Sequence, residues 1–324
     1  MKSLSENLKN FQFYDFHPPE DNFREDVLNG LHSSPRSIPP KYFYDEQGSE
    51  IFDQITRLEE YYPTRCELEI FETHGQDIAN NIKSVCIFIE PGAGNGNKAR
   101  ILLKLLKPSM FIPIDISKQH LKSAAQKIAH DYSWLDVCAV CSDFTTEFNL
   151  PDSLPDNKRV VFFPGSSIGN FHPHEAIGYL TNIASIVGKG GQLLIGVDLK
   201  KDKTVLERAY DDGEGTTAQF NLNLLTRMNQ ELSSDFDLDT WQHLALYNEL
   251  EGRIEMHLRS QCPQVVAIDD SEFFFEENET IHTENSYKYS IEEFHELAMQ
   301  AGFNTQKVWM DQNKLFSVHL FVYE

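Results

Sequence analysis

The glycine-rich segment Glu90-Pro-Gly92-Ala-Gly94-Asn-Gly96 combines residue types and spacing that suggest ligand binding. It directly follows an apolar run over 85–89 and precedes a helical pattern over 98–106. Glycines at such a turn let a ligand approach the backbone closely. A nicotinamide fingerprint reads G-x-G-x-x-G, whereas this loop reads G-x-G-x-G after an acid. The segment therefore favours S-adenosylmethionine, although a structural turn would have the same glycines.

Two further acids follow later apolar runs in the same way. Asp115 ends the second run, where a carboxylate can accept hydrogen bonds from both hydroxyls of a ribose. Asp143 follows the third run and can accept from an adenine amino group, while Phe144 contacts the base. The carboxyl ends of parallel strands meet at one edge of a sheet, so these acids and Glu90 converge on one crevice. Each acid alone could instead cap a helix.

A parallel sheet is needed to bring these loops together. Five apolar runs of strand length, separated by stretches long enough for crossover helices, cover 85–89, 110–114, 135–140, 159–163 and 192–197. This rhythm predicts a doubly wound α/β sheet with helices on both faces.

The chain after Lys203 departs from this rhythm and is interpreted as an insertion. We predict helices near Leu206 and over 222–232 and 238–246, followed by strands over 253–258 and 265–268. The sheet pattern resumes at Ile291 with a helix and a closing β-hairpin that turns at 311–314.

The N-terminal region is predicted to lie outside the sheet. Its first forty residues are polar and read as an extended arm, and a helix spans 48–60. Pro63 is expected to close that segment and Thr64 to cap the next helix, which runs to about Asn80. We predict a cofactor domain over 65–200 plus 291–324, and a smaller α+β substrate domain over 1–64 plus 201–290.

The amino-acid composition limits which kinds of binding partner and cellular compartment we expect. The 50 acidic and 28 basic residues give a net charge of -22, which would repel nucleic acid and anionic membranes. Cysteines are odd in number, which argues against a secreted disulfide framework. Cys138 and Cys141 form a C-x-x-C that we interpret as buried strand cysteines and not a metal or redox site. With no signal core and no run of ~18 apolar residues, we expect a cytoplasmic monomer without a metal.

A long segment near the N-terminus is similar to a known family signature. It reads Lys41-Tyr-Phe-Tyr44-Asp45-Glu-Gln-Gly48-Ser49 and continues through Tyr61-Tyr62-Pro63-Thr64-Arg65. This segment resembles the histidine-specific N-α-methyltransferases of ergothioneine biosynthesis. Matching motifs continue over nearly the whole chain, among them Asp143-Phe144, Gly165-Ser-Ser-Ile-Gly-Asn170, Arg253-Ile-Glu-Met256 and Thr283-Glu284-Asn-Ser286-Tyr-Lys288.

The resemblance implies a class I, Rossmann-like methyltransferase sheet and S-adenosylmethionine-dependent methylation of the α-amino group of L-histidine to hercynine, the trimethylated betaine. The residues implied for the cofactor are Gly92, Lys98, Asp115, Asp143 and Phe144. Those implied near the reacting amine are Tyr44, Gly165 and Ser167. Those implied for the amino acid are Asn170 and Tyr210 at the carboxylate, Tyr61, Glu284 and Ser286 at the imidazole, and Met256, which with Glu284 follows the histidine-type pattern.

The residues themselves support part of this assignment. Period-two alternation in a strand places Glu284 and Ser286 on one face, where a carboxylate and a hydroxyl can bind both imidazole nitrogens. Without the resemblance, Tyr44 and Tyr61 could be buried tyrosines and Asn170 a cap or a turn residue. Lys98 would then be a solvated helix residue and Glu284 a surface acid.

The chain also departs from the family pattern. The usual cofactor loop is nearer E-L-G-S-G-x-S-x-K-T-R, whereas Pro91, Ala93, Gly96 and Ala99 stand here, and Ser167 replaces the common threonine. Cofactor affinity is the property that these changes affect. The alternatives are a methyltransferase for another amino acid or a prenylated indole, and a non-catalytic S-adenosylmethionine-binding protein. The glycine spacing disfavours an NAD-dependent oxidoreductase.

Overall fold

The computed structural model describes residues 8–16, 22–82, 86–145, 150–151 and 154–324, to which all structural statements below refer. The strands in chain order are β1 (Phe11–Asp15), β2 (Cys86–Pro91), β3 (Met110–Asp115), β4 (Asp136–Cys141), β5 (Lys158–Phe163), β6 (Gln192–Asp198), β7 (Trp241–Asn248), β8 (Arg253–Ser260), β9 (Gln264–Ile268), β10 (Ser271–Phe275), β11 (Thr280–Tyr287), β12 (Phe303–Met310) and β13 (Phe316–Tyr323). The α-helices are α1 (Phe23–His32), α2 (Glu46–Ile55), α3 (Tyr62–Ile82), α4 (Asn97–Leu106), α5 (Lys118–Asp131), α6 (Pro173–Val187), α7 (Lys203–Tyr210), α8 (Thr216–Glu231) and α9 (Ile291–Gln300).

One large sheet organises the fold, with the strand order β1-β4-β3-β2-β5-β6-β13-β12. The strands from β1 to β6 pair in parallel, and β13 is antiparallel to both β6 and β12. The five predicted apolar runs are these central strands, and the predicted doubly wound sheet is confirmed. Val85, the first residue of the first predicted run, lies outside the described residues.

Helices cover both faces of the sheet, which explains why its strands are apolar on both sides. Cys86 and Phe88 belong to the core beneath α3, α4 and α5, whereas Ile87 and Ile89 pack with α6 and α9. Cys138 and Cys141 are divided between the same two cores, so their thiols lie on opposite faces of β4. The prediction of buried strand cysteines is confirmed.

The N-terminal region differs from its prediction at several points. Helix α1 forms inside the predicted extended arm, and the helix predicted over 48–60 is α2, which ends at Ile55. Helix α3 begins at Tyr62, so Pro63 occupies its first turn and does not end the preceding segment, and Thr64 is not its cap. Proline is tolerated there because the first N–H groups of a helix have no intrahelical acceptor. Part of the polar arm forms β1, which pairs with β4, although residues 1–64 were assigned to the substrate domain. The two-domain division itself stays a prediction.

The insertion contains α7, α8, the antiparallel sheet β11-β8-β7 and the hairpin β9-β10. The predicted helix over 238–246 is wrong, because Trp241, His243 and Ala245 alternate as the buried face of β7. Strand β10 was not predicted. The C-terminal helix and hairpin are confirmed as α9, β12 and β13.

The insertion meets the large sheet beside the loop that follows β5. A Cβ atom on Gly169 would lie 2.7 Å from the carbonyl oxygen of Tyr287, so this loop contacts the end of β11 backbone to backbone. Leu199, just beyond β6, also bridges to Tyr289. None of the helices in the described ranges combines the length and apolar character that a membrane crossing requires.

Candidate active site

A cavity of about 1020 Å³ lies at the carboxyl ends of the central strands. Its walls come from the loops after β2, β3, β4 and β5, from α6, and from the segment between residues 39 and 64. Every residue that the resemblance assigns to the cofactor or to the reacting amine lines it, and so do two of the amino acid residues. These are Tyr44, Tyr61, Gly92, Lys98, Asp115, Asp143, Phe144, Gly165, Ser167 and Asn170.

The glycine loop exposes its backbone to this cavity. Gly92 has a φ of +68°, and a Cβ atom there would lie 2.9 Å from the ring of Phe144. Gly94 has a φ of +51° and open space where a side chain would start. Its N–H donates to Asp115 Oδ2 at 2.9 Å, so the two predicted cofactor elements are joined directly. Glycine is required here both for conformation and for room.

Asp115 and Asp143 each hold their own loop while facing the cavity. Asp115 Oδ1 also accepts from the N–H of Ser117 at 2.9 Å, and burial raises the pKa of this carboxyl. Asp143 Oδ1 accepts from the N–H and the hydroxyl of Thr145, at 2.9 and 2.5 Å. The capping role and the ligand role are therefore compatible, because each carboxylate has several acceptor sites.

Glu90 fits a ligand that carries positive charge or N–H groups. It is 1% exposed, its Oε2 has no hydrogen-bond partner among the described residues, and it lines the cavity. Burial raises the pKa of Glu90 well above its ordinary value, although the nearby Lys98 ammonium opposes the shift. An unpartnered buried carboxylate beside open glycine backbone suits the amino acid end of S-adenosylmethionine.

A buried carboxylate that the sequence did not reveal connects the cofactor residues to the loop after β5. Glu67 on α3 lies 2.6 Å from Lys98 Nζ and accepts from the N–H of Gly165 at 3.0 Å with each oxygen. A Cβ atom on Gly196 would lie 2.0 Å from Glu67 Oε1. The signal in the sequence was that glycine inside an otherwise apolar strand, which often marks a close approach.

The substrate side of the cavity is aromatic. Burial raises the pKa of Tyr44 well above its ordinary value, and the charge of Glu284 raises it further. Burial has the same effect on Tyr61, whose ring lies 6.1 Å from that of Tyr210. Both phenols therefore stay protonated at neutral pH, as hydrogen-bonding groups and aromatic walls.

Four of the predicted amino acid residues, Tyr210, Met256, Glu284 and Ser286, are not among the described residues that line the cavity. Tyr210 and Ser286 share a hydrogen bond of 2.7 Å, and Met256 is the cross-strand partner of Glu284. Burial raises the pKa of Glu284 to about 7, although the Lys288 ammonium opposes the shift. Because the charge of Glu284 acts on Tyr44, Tyr61 and Tyr210, these groups form one neighbourhood.

Lys288 completes this neighbourhood and was missed as a site residue. Its side chain is fully buried, and its Nζ lies 2.8 Å from Asp198 Oδ2. It also donates to the hydroxyls of Tyr210, at 3.0 Å, and of Ser286, at 2.7 Å. Two signals were present in the sequence: Lys288 ends a motif that matches the family, and its period-two spacing from Ser286 places both side chains on one face.

The sheet order, with one antiparallel strand beside β6 and acids at the ends of three successive parallel strands, defines a class I S-adenosylmethionine-dependent methyltransferase. Residues 23–323 match the family described as "Histidine-specific methyltransferase, SAM-dependent". The chain belongs to this family.

Individual relatives agree with this placement. The chain is 40% identical over 303 residues to a histidine N-alpha-methyltransferase of Mycobacterium tuberculosis, covering 92% of this chain and 94% of that protein. It is 41% identical over 305 residues to a histidine N-alpha-methyltransferase of Mycolicibacterium smegmatis, with the same coverage. A 4-dimethylallyltryptophan N-methyltransferase of Claviceps purpurea is 26% identical over 321 residues, covering 90% of this chain and 92% of that protein.

Proposed function

We propose that this protein transfers three methyl groups from S-adenosylmethionine to the α-amino group of L-histidine, giving hercynine as the first step of ergothioneine biosynthesis. The observation that carries the proposal is that the charge of Glu284 acts on Tyr44, Tyr61 and Tyr210, of which Tyr44 and Tyr61 line a crevice with the acids expected for the cofactor. Membership of the histidine-specific family supports the same substrate.

On the cofactor side, S-adenosylmethionine would supply an electrophilic methyl group on a sulfonium. Asp115 would accept from its ribose hydroxyls, and Asp143 and Phe144 would bind its adenine. Gly92 and Lys98 would bind its amino acid end. The open backbone at Gly94 and the unpartnered oxygen of Glu90 support this orientation.

On the substrate side, Asn170 and Tyr210 would bind the carboxylate of histidine. Glu284 and Ser286 would bind the imidazole nitrogens, with Tyr61 and Met256 as walls. The pKa of Glu284 is raised to about 7, close to the ordinary pKa of an imidazole, so this carboxyl can exchange a proton with the histidine ring. A hydrophobic wall alone would not distinguish histidine from other aromatic amino acids, whereas buried polar groups penalise ligands that leave them unpaired.

The chemistry requires a neutral amine held about 3 to 3.5 Å from the methyl carbon, in line with its bond to sulfur. A free amine with a pKa of about 8 is mostly protonated at neutral pH and must first lose a proton. Because the pKa of Tyr44 is raised, this phenol is a poor base, and water at the loop of Gly165 and Ser167 would take the proton. The face of Tyr44 would stabilise the growing quaternary ammonium by cation–π contact.

The remaining assignments belong to the same proposal. The cofactor domain comprises 65–200 plus 291–324, and the substrate domain comprises 1–64 plus 201–290. We propose a cytoplasmic monomer that binds neither nucleic acid nor membranes, supported by the net charge of -22.

A competition assay tests the substrate. Purified protein is incubated with S-adenosylmethionine and an equimolar mixture of the twenty amino acids, and the products are identified by mass spectrometry. Three methyl groups on histidine alone are expected. Methylation of tryptophan would contradict the role of Glu284 and would favour a substrate like that of the Claviceps relative. No product despite measured cofactor binding would contradict the enzyme assignment for all twenty amino acids.

A further inference from the structure

The proposed carboxylate site has no charged group of its own. Asn170 and Tyr210 are both neutral. In the part of the chain that the structure describes, five acids line the cavity against three cations, and two of those cations, Lys41 and Lys98, are paired with Asp26 and Glu67. A carboxylate that enters such surroundings loses hydration and meets repulsion unless a cation lies close by. Among the described residues, Lys288 is a cation that does contact a proposed carboxylate ligand: its Nζ donates to the hydroxyl of Tyr210 at 3.0 Å.

The positive charge of Lys288 is only partly neutralised by Asp198, the carboxylate with which it pairs. Asp198 is bound by two ammonium groups, those of Lys288 at 2.8 Å and Lys201 at 2.5 Å, so two cations share one carboxylate. Although burial alone would raise the pKa of Asp198, these ammonium groups hold it below its ordinary value. The charge of Lys288 also acts on Glu284, but in the proposed function that carboxylate accepts an imidazole N–H.

The hydrogen bonds around Lys288 leave one donor unused. Its three N–H groups are directed to Asp198, Tyr210 and Ser286. One hydroxyl proton joins Tyr210 to Ser286. When Ser286 donates that proton, the O–H of Tyr210 has no acceptor among the described residues and is available to the carboxylate, while Ser286 Oγ can still accept from the imidazole.

We infer that Lys288 is a positioning residue: through its hydrogen bonds to Tyr210 and Ser286 it makes the Tyr210 hydroxyl a positively polarised donor for the free α-carboxylate of the substrate. This inference rests on the proposed function and extends it to the chemical class of substrate. The site selects free amino acids over amides, peptides and decarboxylated amines.

The test compares L-histidine with L-histidinamide, which keeps the ring and the amine but has no carboxylate. Dissociation constants are measured by calorimetry with S-adenosylhomocysteine present. The wild-type protein is expected to bind histidine about 10- to 100-fold more tightly, the range for hydrogen bonds to a charged group. In Lys288→Met this preference should fall to less than about 5-fold.

Lys201→Met is the matched control. It also removes one ammonium from Asp198, but that ammonium donates to Tyr62 and Leu199 and touches neither Tyr210 nor Ser286. A comparable loss of stability with an unchanged preference for histidine is expected. If Lys288→Met does not fold, Lys288→Gln, which keeps a donor but no charge, takes its place.

Four outcomes overturn the inference. An unchanged preference in the Lys288 variant, or an equal loss in Lys201→Met, contradicts it while leaving the proposed function intact. A wild-type protein that binds both ligands equally contradicts it without any variant. A wild-type protein that binds neither would contradict the proposed function as well.

Discussion

Replacing Gly196 with alanine tests whether Glu67 organises the site. Gly196 lies in the buried strand β6, and a Cβ atom there would lie 2.0 Å from Glu67 Oε1, far inside van der Waals contact. The carboxylate must move, and it then loses its contacts with Lys98 and with the N–H of Gly165. A single methyl group in the sheet core would thus disturb both the cofactor side and the amine side.

The magnitude follows from two contributions. Overpacking a rigid core costs about 1 to 3 kcal/mol. Weakening hydrogen bonds to a buried charge costs about 1.5 to 3 kcal/mol, and we take the lower part of that range because Lys98 is 22% exposed and can be hydrated. The expected loss in the free energy of unfolding is therefore about 2.5 to 5 kcal/mol, with S-adenosylmethionine affinity reduced about tenfold or more.

Denaturant unfolding measures the stability, and calorimetry measures the affinity for S-adenosylmethionine. Gly213→Ala is the control, because a Cβ atom there would meet only Glu60 Oε1, at 3.9 Å. Its stability should stay within about 0.5 kcal/mol of the wild type. A Gly196→Ala protein with unchanged stability and cofactor affinity would refute the role assigned to Glu67.

Three further predictions concern the site. The pKa of Glu284 is raised to about 7, so ionisation of this carboxyl lowers the stability of the wild-type protein as pH rises from about 4.5 to 7. Glu284→Gln cannot ionise, so its free energy of unfolding relative to the wild type should increase by on the order of 2 kcal/mol between pH 5 and pH 8. A difference between the two proteins that does not change with pH would contradict this. Tyr44→Phe should keep the aromatic face for cation–π contact, and Tyr44→Ala should lose it. The value of kcat/KM for the third methylation should therefore fall at least tenfold more in Tyr44→Ala than in Tyr44→Phe. Unchanged values in both variants would exclude a role for Tyr44 in catalysis. Asp115→Asn removes a charged acceptor for the N–H groups of Gly94 and Ser117 and for the ribose. Calorimetry should show that S-adenosylmethionine binds this variant about 10- to 100-fold more weakly. Unchanged binding would contradict the proposed contact between Asp115 and the ribose.

The sheet was predictable because parallel strands buried on both faces produce uninterrupted apolar runs. The same rule failed in the insertion, where β7 is buried on one face only. Leu238, Trp241 and Ala245 follow one another at i, i+3 and i+7, a spacing that a helix can also accommodate, and only pairing with β8 distinguishes the two. The intrinsic helix and strand propensities of these residues could not decide between helix and strand, because contacts with the neighbouring strand set the conformation.

The site was predictable where chemistry follows strand ends or a family motif. Acids after β3 and β4 and the glycines after β2 could be located from their order along the chain, and the structure places them in one cavity. Glu67 could not be found in this way, because in one sequence a buried charge looks the same as a surface charge. Lys288 ends a family motif, but nothing in the sequence showed that its charge is buried. Their burial depends on partners distant in sequence, Gly196 for Glu67 and Asp198 for Lys288.

The central claim is that the α-nitrogen of histidine receives the methyl groups. The most direct test uses S-adenosylmethionine labelled with carbon-13 in its methyl group, L-histidine and the purified protein, with the product examined by NMR. We predict three equivalent labelled methyl groups coupled to the α-carbon and none on the ring. Label on an imidazole nitrogen, or no label in histidine although the cofactor binds, would contradict the account.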